Sequence, residues 1–555
     1  MLQLNSIPQI RKPANSPFVS FAKGTKEREA LVLELENIRR SVQPFPNLPL
    51  WIGGRVIAPE NDLRACVPPH DFKRVLGFYY TASEEHVVSA IKKVLAAKKR
   101  WNDLHWYYRL MIFQTAARLL ETKYLYKMVA AVMEDYSKNA YEAFIDVQEL
   151  IDFWRFNSYY AYALYSEQPE SNADTSNLVN YRPLEGFVYA VPPNNFVAIE
   201  GNLPTAPLIM GNVVVVKPSS DVVYSFHIVL NILLEAGLPP DVMAVLHGDS
   251  KMISDIVLNH PMLSGIHFTG GTDVFKEMRW TVAQNEYKGL YKGFVRIVGE
   301  TGGKDPIVVF DEHDPVATAA AIVMGGFGAQ GRKCSATSRV YMTVDMWQKV
   351  RRPLLDFMNT IKIGDVADFK NYMGSSINKK EHDKIVRYIV NAKGSKESVG
   401  GQVQEVLGGE YHENNGWFIW PTVIVTSDPH YITMEEEIFG PVVTICTLPK
   451  KNYKAKVFKF CDETSPYGLT GAVHTNDIYE FCEALDELRY VAGNMYNFKT
   501  TGAMVGAQPF SGGRLSGTNS KVGWWPNLLQ WVEMQTLGFT YNKPTDFAPP
   551  YLDRE

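Results

Sequence analysis

Cysteine is scarce in this 555-residue chain, with only Cys66, Cys334, Cys446, Cys461 and Cys482. Five thiols without paired spacing do not make a disulfide framework, and a reducing compartment follows. No C-x-x-C occurs, and none of the twelve histidines stands four residues from another, so the ligand spacing of a structural zinc is missing and no metal is expected. Neither sign of charge is in excess. The 56 Lys+Arg face 60 Asp+Glu for a net charge of -4, which leaves no electrostatic footprint for nucleic acid or an anionic membrane. The longest apolar-leaning run, residues 316–329, is rich in Ala and Gly and falls short of the roughly 20 residues of a membrane span. The first 26 residues contain no acid but carry Arg11, Lys12, Lys23 and Lys26, a composition shared by mitochondrial leader segments and disordered tails. Internal repeats and low-complexity tracts are absent.

What remains is an ordinary globular composition, 46% hydrophobic, 12% aromatic and 21% charged, in a chain long enough for roughly three structural units. Helical stretches are expected at 84–99, 107–124 and 146–165. In the third, Val147, Leu150, Ile151, Trp154, Phe156 and Tyr160 recur every three or four residues, an aromatic stripe that reads as core. Residues 168–180 are polar and read as a surface connection. From Gly186 short apolar runs at 187–191, 213–216, 242–246 and 266–268 read as buried strands, with helices at 224–236 and 275–284 between them. Such alternation implies a parallel sheet covered on both faces, where nucleotides bind beyond the carboxyl ends of the strands. A second α/β pattern runs over 295–443, and a Gly-rich stretch covers 501–517.

Four constellations can carry chemistry. Cys334 follows a glycine-containing loop beside Lys333 and several hydroxyl residues, where a thiolate is favoured and a backbone N–H can meet an oxyanion; a small buried thiol would read the same way. Glu300, in Gly299-Glu300-Thr301-Gly302-Gly303-Lys304, stands at a strand end with room to act as a base or to cap a turn. Asn195, after Pro192 and Pro193, is an oxyanion donor or plain turn chemistry. Lys217-Pro218-Ser219 and Phe268-Thr269-Gly270-Gly271 lie at strand ends of the parallel sheet, where glycines let a pyrophosphate approach a helix N-terminus. By contrast, Gly326-Phe327-Gly328-Ala329-Gln330-Gly331 fits G-x-G-x-x-G but follows a helical stretch and opens no helix, so it is not a dinucleotide fingerprint.

In chain order, Asn195, Lys217, Phe268-Thr269-Gly270, the 300–304 turn, Cys334 and Glu437-Ile438-Phe439-Gly440-Pro441 resemble the signature set of the aldehyde dehydrogenase superfamily. Stretches 181–206, 331–339 and 501–519 resemble its 1-pyrroline-5-carboxylate dehydrogenase branch, the glutamate-semialdehyde dehydrogenases of proline catabolism. The resemblance implies an α/β fold with a Rossmann-like cofactor domain (1–167 and 190–299), an α/β catalytic domain (300–510) and a small β oligomerisation arm with the C-terminal tail (168–189 and 511–555). It implies Cys334 as nucleophile, Asn195 as oxyanion donor and Glu300 as general base. Lys217, Pro218, Ser219, Gly270, Gly271, Glu437 and Phe439 would hold NAD. Lys333, Ser335, Gly502 and Ala503 would anchor a substrate carboxylate, with Phe196 and Phe510 along its aliphatic chain.

The implied activity is NAD-dependent oxidation of L-glutamate γ-semialdehyde to L-glutamate through a cysteine thioester. The alternatives are an aldehyde dehydrogenase of other specificity, transfer of the acyl group to coenzyme A, or a non-catalytic member of the fold. A homodimer or higher homo-oligomer is implied, as is a functional link to a proline dehydrogenase, though the 555 residues leave no room for one fused to the chain. The matrix of mitochondria is the expected location in a eukaryote, and the cytoplasm otherwise. Two positions depart from the family pattern. Gly271 replaces a serine near the pyrophosphate, leaving the backbone donor in place, and Ser220 stands where many relatives carry an acid that accepts from the ribose 2′-hydroxyl.

Overall fold

Strands that are apolar on both faces belong in the interior of a parallel sheet, and Phe187–Val191, Val214–Val216 and Met243–Val245 are of that kind. In the computed structural model, which describes residues 6–40, 46–59, 62–397, 401–498, 502–549 and 551–553, they lie side by side in a seven-stranded sheet. Its order is Arg296–Glu300, Leu263–Thr269, Phe187–Val191, Val214–Val216, Met243–Val245, Leu50–Ile52 and Arg55–Ile57. The first five are parallel, and the last two add antiparallel edges. The chain steps from Phe187–Val191 outward to Met243–Val245, then returns to the other side of Phe187–Val191 with Leu263–Thr269. A crevice opens where strand order reverses in this way, beyond the carboxyl ends of the strands. Pro192 to Asn195 and Gly270 to Gly271 stand there.

Only four residues separate Glu300, at the carboxyl end of one strand, from Asp305, at the start of the next. Asp305–Val309 is central in a second seven-stranded sheet, ordered Val403–Gly408, Thr422–Thr426, Val442–Leu448, Thr337–Thr343, Asp305–Val309, Thr470–His474 and Asn494–Asn497. All its strands are parallel except Val403–Gly408 at one edge. The carboxyl ends of the first sheet therefore face the amino ends of the second, and Cys334 precedes one of those amino ends.

The segment expected as a surface connection is a strand from Thr175 to Pro183, paired residue for residue with Val532–Thr540 in a two-stranded antiparallel ribbon. An exposed ribbon needs no apolar alternation, which is why its sequence reads as loop. Residues 511–531 lie outside the ribbon, and their helix Trp525–Leu529 packs on Ala140–Ser166.

The third expected helix starts earlier than its stripe, at Ala140, because the Asn139 side chain caps it by accepting from the Glu142 N–H at 2.9 Å. The six stripe residues are all buried. Helices that the sequence does not announce include Lys26–Arg39, Leu125–Tyr136 and Val197–Ile209, the last carrying Pro204 and Pro207 within it. Among the described residues no helix is long and apolar enough to cross a membrane. Residues 1–5 of the acid-free segment and Thr501 of the Gly-rich stretch lie outside the described residues.

Candidate active site

Cys334 sits in a tight turn closed by the Ala336 N–H to the Lys333 carbonyl at 3.0 Å. The loop leading to it is held by its own backbone, with Ala329 and Gln330 at φ of +49° and +60°. Left-handed conformations of this kind cost about 1 kcal/mol or more each and persist only where neighbours fix them. Here Gln330 Nε2 donates to the Ser137 carbonyl at 2.6 Å, while buried Arg332 donates to the carbonyls of Tyr136 at 3.1 Å and Asn194 at 2.5 Å. Gly303, from the turn after Glu300, presses against the nucleophile's backbone: a Cβ there would stand 2.2 Å from the Cys334 carbonyl oxygen. The two strand ends thus meet across a contact that only glycine permits.

Asn195 is buried and donates through Nδ2 to the Arg332 carbonyl at 3.2 Å, which leaves one Nδ2 hydrogen for another acceptor, and it lines the same cavity as Cys334. Its Oδ1 has no hydrogen-bond partner, an exception among buried polar atoms of the kind found at functional sites. The expectation that Lys333 favours a thiolate needs correction. Burial pushes the Cys334 thiol up, and Asp305, Glu437 and Glu300 push it further. The Lys333 ammonium is instead engaged by Glu142, 2.9 Å away. These surroundings favour the thiol over the thiolate.

Glu300 ends its strand in a buried position, its carboxylate accepting from the Ser511 hydroxyl and, at 3.0 Å, from the Gly512 N–H. Burial raises its carboxyl to about 8, against the lowering effect of those two bonds. A carboxylate tuned to that range is suited to accept a proton near neutral pH. Ser511 and Gly512 were missing from the sequence reading, because they act on Glu300 from 211 residues away.

Beyond the sheet's carboxyl ends lies a cavity of about 700 Å³ whose walls include Asn195, Lys217, Gly270, Gly271, Cys334 and Glu437. Ser219 and Phe439 also line it, and buried Pro218 does not. The residues fit a dinucleotide. Lys217 is almost fully buried, its ammonium bonded among the described residues only to the Pro218 carbonyl at 3.2 Å, and burial lowers its pKa to about 8. That leaves donors for ribose hydroxyls. At Gly271 an added Cβ would meet nothing within 4 Å, and no side chain caps the helix Thr272–Tyr287 that it precedes, so the first-turn N–H groups face open space. Glu437 accepts from the Gly303 N–H at 3.1 Å and is held so close to Gly302 that a Cβ there would stand 2.1 Å from Oε2. Phe439 is kept in the wall at φ +59°. Asp221, next to Ser220, is taken up by Asn194 at 2.9 Å and Asn378 at 3.3 Å.

The chain matches the aldehyde dehydrogenase family over residues 58–537. It belongs to that family. It is 39% identical over 546 residues, 98% of this chain and 96% of the relative, to the mitochondrial delta-1-pyrroline-5-carboxylate dehydrogenase of Dictyostelium discoideum. To the mitochondrial enzyme of that name from Homo sapiens it is 36% identical, with 98% and 94% covered. The Delta-pyrroline-5-carboxylate dehydrogenase of Mycobacterium tuberculosis bound with NAD superposes with a TM-score of 0.92 at 38% identity, covering 99% of each chain.

In this aldehyde dehydrogenase the remaining expected residues are Ser335, Gly502, Ala503, Phe196, Phe510 and Lys333. Ser335 is buried, and its Oγ stands 4.0 Å from where a Cβ on Gly502 would lie. Gly502 takes φ +121°, a conformation that favours glycine, and Ala503 follows it half-buried. Phe196 lies half-buried under the Lys138 ammonium, 3.6 Å from its ring centroid, and Phe510 is fixed by a two-way backbone bridge to Val522. Lys333 is the one whose surroundings differ from expectation. Although burial opposes its charge, Glu142 holds its pKa above the ordinary value. Glu149, one helical turn beyond Asp146, feels both lysines of this corner and is raised by burial to about 8. A signal for these acids was present: Glu142, Asp146 and Glu149 recur at four and three residues on a helix whose stripe was read only as core.

Proposed function

We propose that this aldehyde dehydrogenase oxidises L-glutamate γ-semialdehyde, the open-chain form of 1-pyrroline-5-carboxylate, to L-glutamate with NAD as acceptor. The observation that carries the substrate choice is the Lys333–Glu142 ion pair one residue from the nucleophile. The substrate brings an α-carboxylate and an α-ammonium, and a pair of opposite charges can exchange partners with such a zwitterion. A simple alkyl aldehyde offers neither group. The near full-length likeness to delta-1-pyrroline-5-carboxylate dehydrogenases supports the same reading.

Cys334 gives its thiol proton to water and adds through Sγ to the aldehyde carbon, the carbonyl π pair passing to the oxygen. The second N–H of Asn195 and the Cys334 backbone N–H stabilise the oxyanion, each such donor being worth about 3 to 4 kcal/mol. Lys217, Pro218, Ser219, Gly270, Gly271, Glu437 and Phe439 would hold NAD, which supplies the acceptor for the hydride that leaves the substrate carbon. Glu300 then takes a proton from the water that hydrolyses the thioester. A hydrolytic base serves water rather than a thiol acceptor, which disfavours transfer to coenzyme A. Gly502, Ala503 and Ser335 hold the carboxylate, with Phe196 and Phe510 along the methylenes.

The ribbon and tail serve as the arm of a homodimer or higher homo-oligomer, beside the cofactor domain of 1–167 and 190–299 and the catalytic domain of 300–510. Relatives named mitochondrial support a mitochondrial matrix location if the source is eukaryotic. The substrate's chemistry links the protein functionally to a proline dehydrogenase, which generates it.

The test is direct. Purified protein given NAD and 1-pyrroline-5-carboxylate forms reduced cofactor, and Cys334→Ala abolishes it. Propanal as the far better substrate would overturn the carboxylate anchor.

A further inference from the structure

Residues 6–25 form no strand, yet they are not loose. Ser16 is buried against the helix Ala140–Ser166. Three polar residues on one face of that helix grip it: Gln148 donates to the Ser16 carbonyl, Arg155 donates to its hydroxyl at 3.0 Å, and Asp152 Oδ1 accepts from both its N–H and its hydroxyl at 3.0 Å. Two residues on, Phe18 packs edge-on against Phe144, with ring centroids 5.7 Å apart. The segment is a strap across the helix that also carries Glu142.

Asn15 connects this strap to the substrate side. Its Nδ2 donates to Asp152 Oδ2 at 2.7 Å and to the Val505 carbonyl at 2.7 Å. Val505 stands two residues after Ala503, in a loop that bends back on itself through the Gln508 N–H to the Met504 carbonyl at 2.8 Å. The loop rests on the same helix, with Gly506 so close to Phe156 that a Cβ would lie 2.4 Å from the ring. The Tyr160 hydroxyl reaches the Gly506 carbonyl at 3.4 Å, longer than the Asn15 bond. The carboxylate of Asp152 fixes one N–H of Asn15, so the other is aimed at the loop before substrate arrives.

We infer that Asn15 is a positioning residue that sets the height of the 502–508 loop, and with it the Gly502 and Ala503 amides that receive the substrate carboxylate. The inference rests on the proposed role of those amides. It makes part of the acid-free segment a component of substrate selection. Freed from Asn15, the loop shifts, and the loss falls on aldehydes that carry a carboxylate.

Steady-state kinetics on the full chain test it. Asn15→Ala should raise KM for glutamate semialdehyde about tenfold, the worth of one good hydrogen bond. It should leave kcat, KM for NAD, and kcat/KM for propanal within about twofold of wild type. Asn15→Leu, close in size but with no donor for Val505 and no added charge beside Asp152, should give the same selective rise. Equal losses on both aldehydes, an unchanged KM for the semialdehyde, or unfolding of both variants would overturn the inference. Wild-type protein inactive on the semialdehyde would instead overturn the proposed function.

Discussion

The carboxyl of Glu300 keeps its proton up to about pH 8 because burial disfavours its charge. Only the deprotonated form can take a proton from water, so turnover limited by thioester hydrolysis should rise with pH through about 8, measured as kcat against pH. Glu300→Gln should lose that limb, lower turnover by roughly 10²- to 10⁴-fold and leave the acylated Cys334 visible by mass spectrometry after a quench. A variant that turns over at the wild-type rate would remove Glu300 from this role. The residue types at Cys334, Glu300 and Asn195 were legible in the sequence because each stands at or just beyond a strand end or beside a glycine turn. The state of each was not. A thiol pushed up by burial and by three nearby acids, and a lysine already paired with Glu142, both arise from segments far apart in the chain.

Among the elements, the ribbon of Thr175–Pro183 and Val532–Thr540 stands out for what it exposes. Leu178 is 44% exposed, Leu537 40% and Phe539 70%, on a two-stranded pair that has little independent stability in water. Burial against a second copy would remedy both. Leu537→Glu combined with Phe539→Glu should reduce the assembled mass seen by light scattering, and an unchanged mass would dismiss the ribbon as an interface. Strands such as Val214–Val216 could be read from sequence, since burial on both faces demands a continuous apolar run. The helix Val197–Ile209 could not: Pro204 and Pro207 argue against a helix, and only the fully buried surroundings of that stretch offset their cost of roughly 3 kcal/mol each. Lys26–Arg39 escaped because its buried residues, Leu31, Leu35 and Ile38, are few among charges.

At the scale of the whole molecule, Glu134 ties together segments that meet only in the folded chain. Its buried carboxylate accepts from Arg39 at 2.6 Å and Arg74 at 2.5 Å, with His70 at 3.3 Å, and Arg39 reaches on to Asp365. Burial alone would raise this carboxyl, but the His70 hydrogen bond and the charges of Arg74 and Arg39 hold it at about 2, against an ordinary 4.5. A depressed carboxyl adds stability above its unfolded value and loses it as pH falls, here about 3 kcal/mol lost between about 4.5 and 2. Urea unfolding should show Glu134→Gln well below wild type at neutral pH, with the gap closing as pH drops through that window; a gap independent of pH would refute the network's part in acid stability. The sequence by itself determined the α/β character, the central strands and the chemical types at the proposed nucleophile, base and cofactor lysine, because these depend on local periodicity and on turns a few residues long. Only the tertiary structure decided which charges neutralise one another, which acid is raised and which lowered, and that Asn15 reaches the loop after Gly502. Those outcomes depend on desolvation and on Coulomb interactions that weaken with distance and are screened over about 10 Å, and the residues concerned lie from 60 to 490 positions apart in the chain.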